Sequence, residues 1–220
     1  YNRLGLRAIT YAVPEHAQTL PYMLGGLTLA TFAILFISGI YLAQFYSAGQ
    51  ITSNESVQFI MTNVPFGDFM RSVHFWSVNV VVELILLHMI RVFITGSYKR
   101  PREFNWLAGL GLLAVTIAFI FTGSMLNLGQ EGLEALQHTG EIGVLLGKLG
   151  TWFTTGFTPS IPFIGRIYIM HISVLVILFL LFIFIHFFFI KVHGISPKAE
   201  INATIDVLLM HYLGLTKVDV

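Results

Sequence analysis

Cysteine is missing from all 220 residues. Its absence excludes disulfides, thiolate-held iron–sulfur clusters and covalent haem attachment through cysteine, and it leaves histidine as the obvious metal-ligand type. Charge is scarce as well. Only 10% of the residues are Asp, Glu, Lys or Arg, and they sum to +1, so no basic field invites nucleic acid. What remains is apolar: 55% of the chain is hydrophobic and the mean hydropathy is +0.79. That excludes an ordinary soluble domain and implies an integral membrane protein. Tyr1–His16 is polar and mixed, without a basic segment followed by an apolar run, so no cleavable signal peptide is expected.

Four runs are long and apolar enough to cross a bilayer as helices, near Leu20–Tyr46, Phe69–Thr95, Trp106–Leu126 and Ile167–Val192. Helices are expected because every backbone polar group must be satisfied within lipid. The predicted fold class is all-α, a four-transmembrane-helix up-and-down bundle forming one domain over residues 1–220, with 197–220 as a C-terminal tail. Charges read as clustered in the connections. Arg3 and Arg7 precede the first run, Lys99, Arg100 and Arg102 follow the second, and Lys191 and Lys198 follow the fourth, which places both termini in the cytoplasm. Glu55, Asp68, Glu131, Glu134 and Glu141, with Lys148, fall on the outer side. In the longer outer connection Gly132–His138 and Ile142–Leu149 are expected as short helices on the membrane surface, and Ile201–Leu213 as a further helix that does not cross.

His74 and His88 lie 14 positions apart in the second run, and His171 and His186 lie 15 apart in the fourth. At about 1.5 Å and 100° per residue, a step of 14 rises about 21 Å and returns within about 40° of the starting face; a step of 15 rises about 22 Å and returns within about 60°. Each helix therefore offers one imidazole near each membrane boundary. The second and fourth helices of an up-and-down bundle run parallel, which levels His74 with His171 outside and His88 with His186 inside. Two bis-histidine sites stacked across the bilayer suit haem iron. The alternative is four hydrogen-bonded core histidines or a proton relay. His16, His138, His193 and His211 lie outside the apolar runs and are expected to be solvated or interfacial.

Glycine repeats the step of 14: Gly25 and Gly39 in the first run, Gly109 and Gly123 in the third. A macrocycle wedged in the bundle needs the non-ligating helices to come close, and a missing side chain permits it. Direction of travel puts Gly39 and Gly123 at the outer level and Gly25 and Gly109 at the inner one. Small-residue helix packing is the competing explanation. Arg71, Arg91 and Arg166 lie within five residues of His74, His88 and His171, near the boundaries where haem propionates would emerge. Snorkelling is the alternative for arginines in such places.

The runs Arg71-Ser-Val-His74-Phe-Trp, His88-Met-Ile-Arg91-Val-Phe-Ile-Thr-Gly96, Lys99-Arg-Pro-Arg-Glu-Phe-Asn-Trp106 and Arg166-Ile-Tyr-Ile-Met-His171 resemble the N-terminal four-helix half of cytochrome b. This is the haem-bearing core of bc-type and bf-type quinol-oxidising complexes, and the length resembles the split, bf-type arrangement. The resemblance implies two non-covalent b haems, an outer one on His74 and His171 and an inner one on His88 and His186. It implies a quinone or quinol substrate, with His193 in Lys191-Val-His193-Gly194-Ile-Ser196 at the inner quinone site. Implied partners are a subunit carrying the remaining helices, a Rieske-type iron–sulfur protein and a c-type cytochrome, in a homodimeric complex of a bacterial or archaeal plasma membrane.

Two departures stand out. Met23 replaces the cysteine that attaches an extra haem in bf-type relatives, so no such haem is expected. Ser124-Met-Leu-Asn127-Leu128-Gly-Gln130 replaces the family's Tyr-x-Leu-Pro-Trp-(Asp or Gly)-Gln, so the outer quinol pocket is expected to differ in shape. The function expected is a dihaem cytochrome b subunit, not catalytic alone, carrying electrons between quinone sites and redox partners. One rival is a dihaem anchor that links the quinone pool to a dehydrogenase or terminal reductase without bifurcation. The other is a colourless transporter or scaffold.

Overall fold

The computed structural model describes residues 13–49, 51–154, 156–158 and 160–196, and among these the regular structure is wholly helical. In chain order the helices are α1 (Leu20–Ala43), α2 (Thr52–Thr62), α3 (Gly67–Ile94), α4 (Glu103–Leu126), α5 (Gln130–Leu145), α6 (Phe163–Ile169) and α7 (Leu175–His193). A π turn, Met170–Val174, joins α6 to α7 in one continuous rod. Four elements are long and apolar enough to cross a membrane: α1, α3, α4 and the rod Phe163–His193. The chain is a multi-pass integral membrane protein of up-and-down topology. Its α2 and α5 lie at one end, called upper below, and the Thr95–Arg102 connection lies at the other, lower end.

α1 packs along α3, and α4 along the final rod. Midway between the ends the four spans meet in a core of Phe32, Val81, Val115, Leu175 and Phe179. The Phe179 ring is 4.5 Å from Phe32, 5.3 Å from Phe36 and 6.4 Å from Phe119. Lipid tails are as apolar as these rings, so the gain here comes from close packing and ring geometry rather than release of water. The aromatic layer divides the bundle into an upper and a lower half.

The four expected spans are present with shifted ends. The first stops at Ala43 and the fourth starts at Phe163, where Pro162 supplies an extended residue before a first turn buried from Phe163 to Ile167. α2 was not expected. It forms because Ser53, Ser56, Val57 and Ile60 recur at helical spacing as a buried stripe, a pattern half polar and therefore faint in hydropathy. The runs Gly132–His138 and Ile142–Leu149 do not form two separate helices. They fuse into α5, which gives way to 3₁₀ turns at Gly147–Leu149 and Thr151–Phe153. Small residues direct this packing: a Cβ on Gly132 would stand 2.5 Å from the Ser124 carbonyl oxygen, and one on Gly143 2.8 Å from that of Gly150. Leu133, Ile142, Val144 and Leu145 stay exposed, as a helix lying on a membrane surface requires. The expected helix Ile201–Leu213, together with Arg3, Arg7, Lys198 and His211, lies outside the described residues.

Candidate functional site

Each glycine of the repeated step faces one histidine. A Cβ on Gly39 would lie 3.2 Å from His74 Cε1, and one on Gly123 3.1 Å from His171 Cε1, both in the upper half. In the lower half a Cβ on Gly25 would lie 3.2 Å from His88 Cε1, and one on Gly109 3.5 Å from His186 Cε1. Three of these distances are tighter than nine in ten real Cβ contacts, so a side chain there would push the ring back by a few tenths of an ångström, and its absence lets the imidazole lie close against α1 or α4. His74 of α3 and His171 of the final rod therefore share the upper half, and His88 of α3 and His186 of the rod the lower half.

Hydroxyls orient the upper pair. Ser38 Oγ donates to the Ile34 carbonyl at 2.7 Å and sits 3.0 Å from His74 Nδ1. Since its proton is spent on the helix, Oγ accepts from Nδ1–H, and that tautomer leaves the Nε2 lone pair available. Thr122 repeats the device on α4: Oγ1 donates to the Ala118 carbonyl at 2.7 Å and lies 2.9 Å from His171 Nδ1. Neither hydroxyl was singled out from sequence. The signal was present, because a hydroxyl residue directly precedes each upper glycine, Ser38-Gly39 and Thr122-Gly123.

The lower pair is held differently. His186 Nδ1 donates to the Asn105 carbonyl at 3.1 Å, four residues before Gly109. The matching carbonyl on α1, four before Gly25, is that of Pro21, and it accepts Arg91 Nε at 3.2 Å instead. His88 Nδ1 is buried without a partner among the described residues.

The π turn explains the unequal histidine steps. A π turn holds one residue more than an α turn, and Met170–Val174 includes His171. The extra residue absorbs the difference between 15 and 14, so both helices return their second histidine to the same face.

The arginines divide. Arg71 Nη2 reaches Asn127 Oδ1 at 3.4 Å near the upper boundary. Arg91 lies 4.4 Å over the Tyr22 ring and makes long contacts of 3.4 and 3.5 Å with Ser97 Oγ and Ser196 Oγ, which themselves meet at 2.8 Å. A guanidinium with loosely engaged donors beside two hydroxyls suits a carboxylate. Arg166 has a different set of partners. It is buried, donates to the Trp152 and Thr154 carbonyls and lies among the Trp152, Phe157 and Phe163 rings, so it fastens the upper connection.

His193 stacks on Phe189 at 6.0 Å, and its carbonyl accepts from Arg102 at 3.1 Å. His16 is half-buried and bonds to the Ser196 carbonyl at 2.9 Å. In the altered upper segment Leu128 has φ 45° and is buried with Met125, Phe163, Ile164 and Ile167. Beside it lies a cleft of about 590 Å³ lined by residues including Leu128, Leu136, Gln137, Glu141, Phe163 and Ile164.

Among the described residues no three His, Cys, Asp or Glu side chains converge as a bare metal ion would need. Two imidazoles per level, with glycines opposite them, suit a metal that brings its own equatorial ligands. In sequence, residues 8–194 match the family described as cytochrome b/b6/petB. The chain belongs to the cytochrome b/b6 family. It is 36% identical over 190 residues to a cytochrome b6 of Heliobacterium mobile, covering 84% of this chain and 89% of that one. Against a cytochrome b6 of Synechococcus sp. (strain RCC307) it is 35% identical over 188 residues, covering 84% and 86%. A chain of a solved structure described as a hyperthermophilic respiratory Complex III superposes with a TM-score of 0.75 at 24% identity, covering 97% of this chain and 62% of that one. The cytochrome b family fold and the histidine levels therefore coincide in one four-span bundle.

Proposed function

We propose that the chain is the dihaem cytochrome b subunit of a membrane quinol:electron-acceptor oxidoreductase, moving electrons across the bilayer between quinone sites. The observation that carries this is the one-to-one seating of four histidines against four glycines at two levels. His74 and His171 would hold the upper haem through Nε2, and His88 and His186 the lower one. When bound, haem would supply one-electron chemistry, and the two imidazoles held at each level would suit it to electron relay rather than oxygen binding. Ser38 and Thr122 fix the tautomer of the upper ligands and raise their basicity by accepting Nδ1–H. Phe32, Phe36, Phe119 and Phe179 keep the space between the levels dry and apolar. Arg71 and Arg91 are the candidates for haem carboxylates at the two boundaries. Met23 in place of a cysteine supports two haems without a third, covalently attached one.

At the lower end His193 presents an imidazole suited to a quinone carbonyl. At the upper end the cleft beside Leu128 and Glu141 is the candidate quinol entry, reshaped by Asn127-Leu128 but still open. Lys99, Arg100, Arg102 and Lys191 gather at the lower end, which orients that end to the cytoplasm of a bacterial or archaeal plasma membrane. The assembled complex would add a subunit with the remaining cytochrome b helices, a Rieske-type protein and a c-type cytochrome, as a homodimer in the bilayer. Catalysis belongs to that assembly rather than to this chain alone.

Single substitutions test the pairing. His74→Ala and His171→Ala should delete the same haem from the optical spectrum, and His88→Ala and His186→Ala the other. Loss of a shared haem by His74→Ala and His186→Ala would overturn it. Quinol oxidation by the purified complex that releases one electron to each of two acceptors separates this reading from the anchor, which sends both electrons to one partner.

A further inference from the structure

Glu83 breaks the rule that charges lie near the ends of the spans. Asp68, Arg71, Arg91, Glu103, Arg166 and Lys191 all fall within a few residues of a span terminus, whereas Glu83 is 16 residues from the start of α3 and 11 from its end. At about 1.5 Å per residue these are about 24 and 17 Å, which is the middle of the hydrocarbon. Its side chain points away from the bundle: Val81 and Ile85 pack in the core, and Glu83 stands two residues from each and is exposed. Among the described residues no hydrogen bond or ion pair reaches its carboxyl group.

One turn earlier Asn79 is also exposed. Its amide nitrogen donates to the Phe75 carbonyl at 3.2 Å, which leaves Oδ1 as an acceptor. The face therefore offers oxygen acceptors in a setting of Trp76, Val80, Leu86 and Leu87, all exposed. A carboxylate left in lipid at this depth disfavours insertion by on the order of 100-fold, and intramembrane carboxyl groups almost always face protein or water. What is outside for this chain must be inside for the assembly.

We propose that the Asn79–Glu83 face of α3 is a subunit contact, occupied by a transmembrane helix of a separate subunit that places a basic or amide hydrogen-bond donor at the depth of Glu83. The Glu83 carboxyl oxygens and Asn79 Oδ1 select a donor partner, and the apolar rim selects a membrane-embedded one. The inference stands on hydropathy and exposure and is independent of the haem assignment.

The absence of native cysteine allows a direct test. A nitroxide on Leu87→Cys reports from the same face without removing Glu83. In the full complex in membranes, with the unsubstituted complex as blank, the label should be shielded from both dissolved oxygen and a water-soluble nickel chelate. Oxygen collisions at the level of a lipid-facing label would overturn the proposal, and so would nickel collisions, which would mark a water-lined path. Adding Glu83→Leu should raise oxygen collisions at position 87 several-fold while haem per chain stays constant; adding Glu83→Gln should leave them low. An unchanged signal in Glu83→Leu would also overturn it.

Discussion

Deleting Ser173 should leave both haems in place, and deleting Leu180 should not. Ser173 is exposed and lies in the π turn that holds one residue more than an α turn needs. Removing it turns Met170–Val174 into ordinary helix and reduces the histidine step from 15 to the 14 found in α3. At about 100° per residue, 14 steps return within about 40° of the starting face, so the deletion keeps the phase that the π turn already provides. Leu180 lies in regular α-helix between the two ligands. Its deletion rotates His171 relative to His186 by about 100° and shortens their separation by about 1.5 Å. That exceeds the 10–20° or so within which a ligand constellation must be held. Haem per chain, measured as the pyridine haemochrome of the purified membrane protein, should remain two after the first deletion and fall to about one after the second. Loss of a haem on deletion of Ser173, with retention on deletion of Leu180, would refute the argument that the π turn compensates for the extra residue.

Gly123→Leu and Gly39→Leu should each displace the adjacent imidazole, whose Cε1 is 3.1 or 3.2 Å from the first added carbon, and should selectively lower occupancy of the upper haem in optical spectra. Ser38→Ala removes the acceptor at His74 Nδ1; loss of one such bond should raise the upper haem's midpoint potential by tens of millivolts in a redox titration and leave the lower haem's unchanged. Hydrogen bonds from Gln137 and His138 hold the exposed Glu141 carboxyl below the usual carboxylate range. A depressed folded-state value stabilises above the unfolded-state value and is lost as pH falls through the folded one. Amide exchange in α5, corrected for intrinsic rate, should therefore rise on acidification below the ordinary carboxylate range, and Glu141→Gln should abolish that dependence.

Much of the fold is legible because membrane spans announce themselves by composition, and four apolar runs of sufficient length leave few topologies. The histidine and glycine steps are legible because a helix of fixed rise turns spacing into depth. What escaped the sequence reading depends on contact rather than period. Ser38 and Thr122 look like ordinary small residues of membrane helices until a neighbouring helix brings an imidazole to them. The fused α5 is set by Gly132 and Gly143 against backbone carbonyls, where an apolar-period search finds nothing. The carbonyls of Trp152 and Thr154 that Arg166 meets come from the folded-back upper connection, which its spacing from His171 does not show. Glu83 was overlooked because a single carboxyl group barely alters the hydropathy of a 28-residue span.

The central claim is that the two levels of paired histidine are two haem sites. A reduced-minus-oxidised spectrum of the purified protein, combined with haem quantitation against protein, tests it most directly. The account predicts two low-spin b haems per chain. One haem per chain, or a colourless protein, would contradict it.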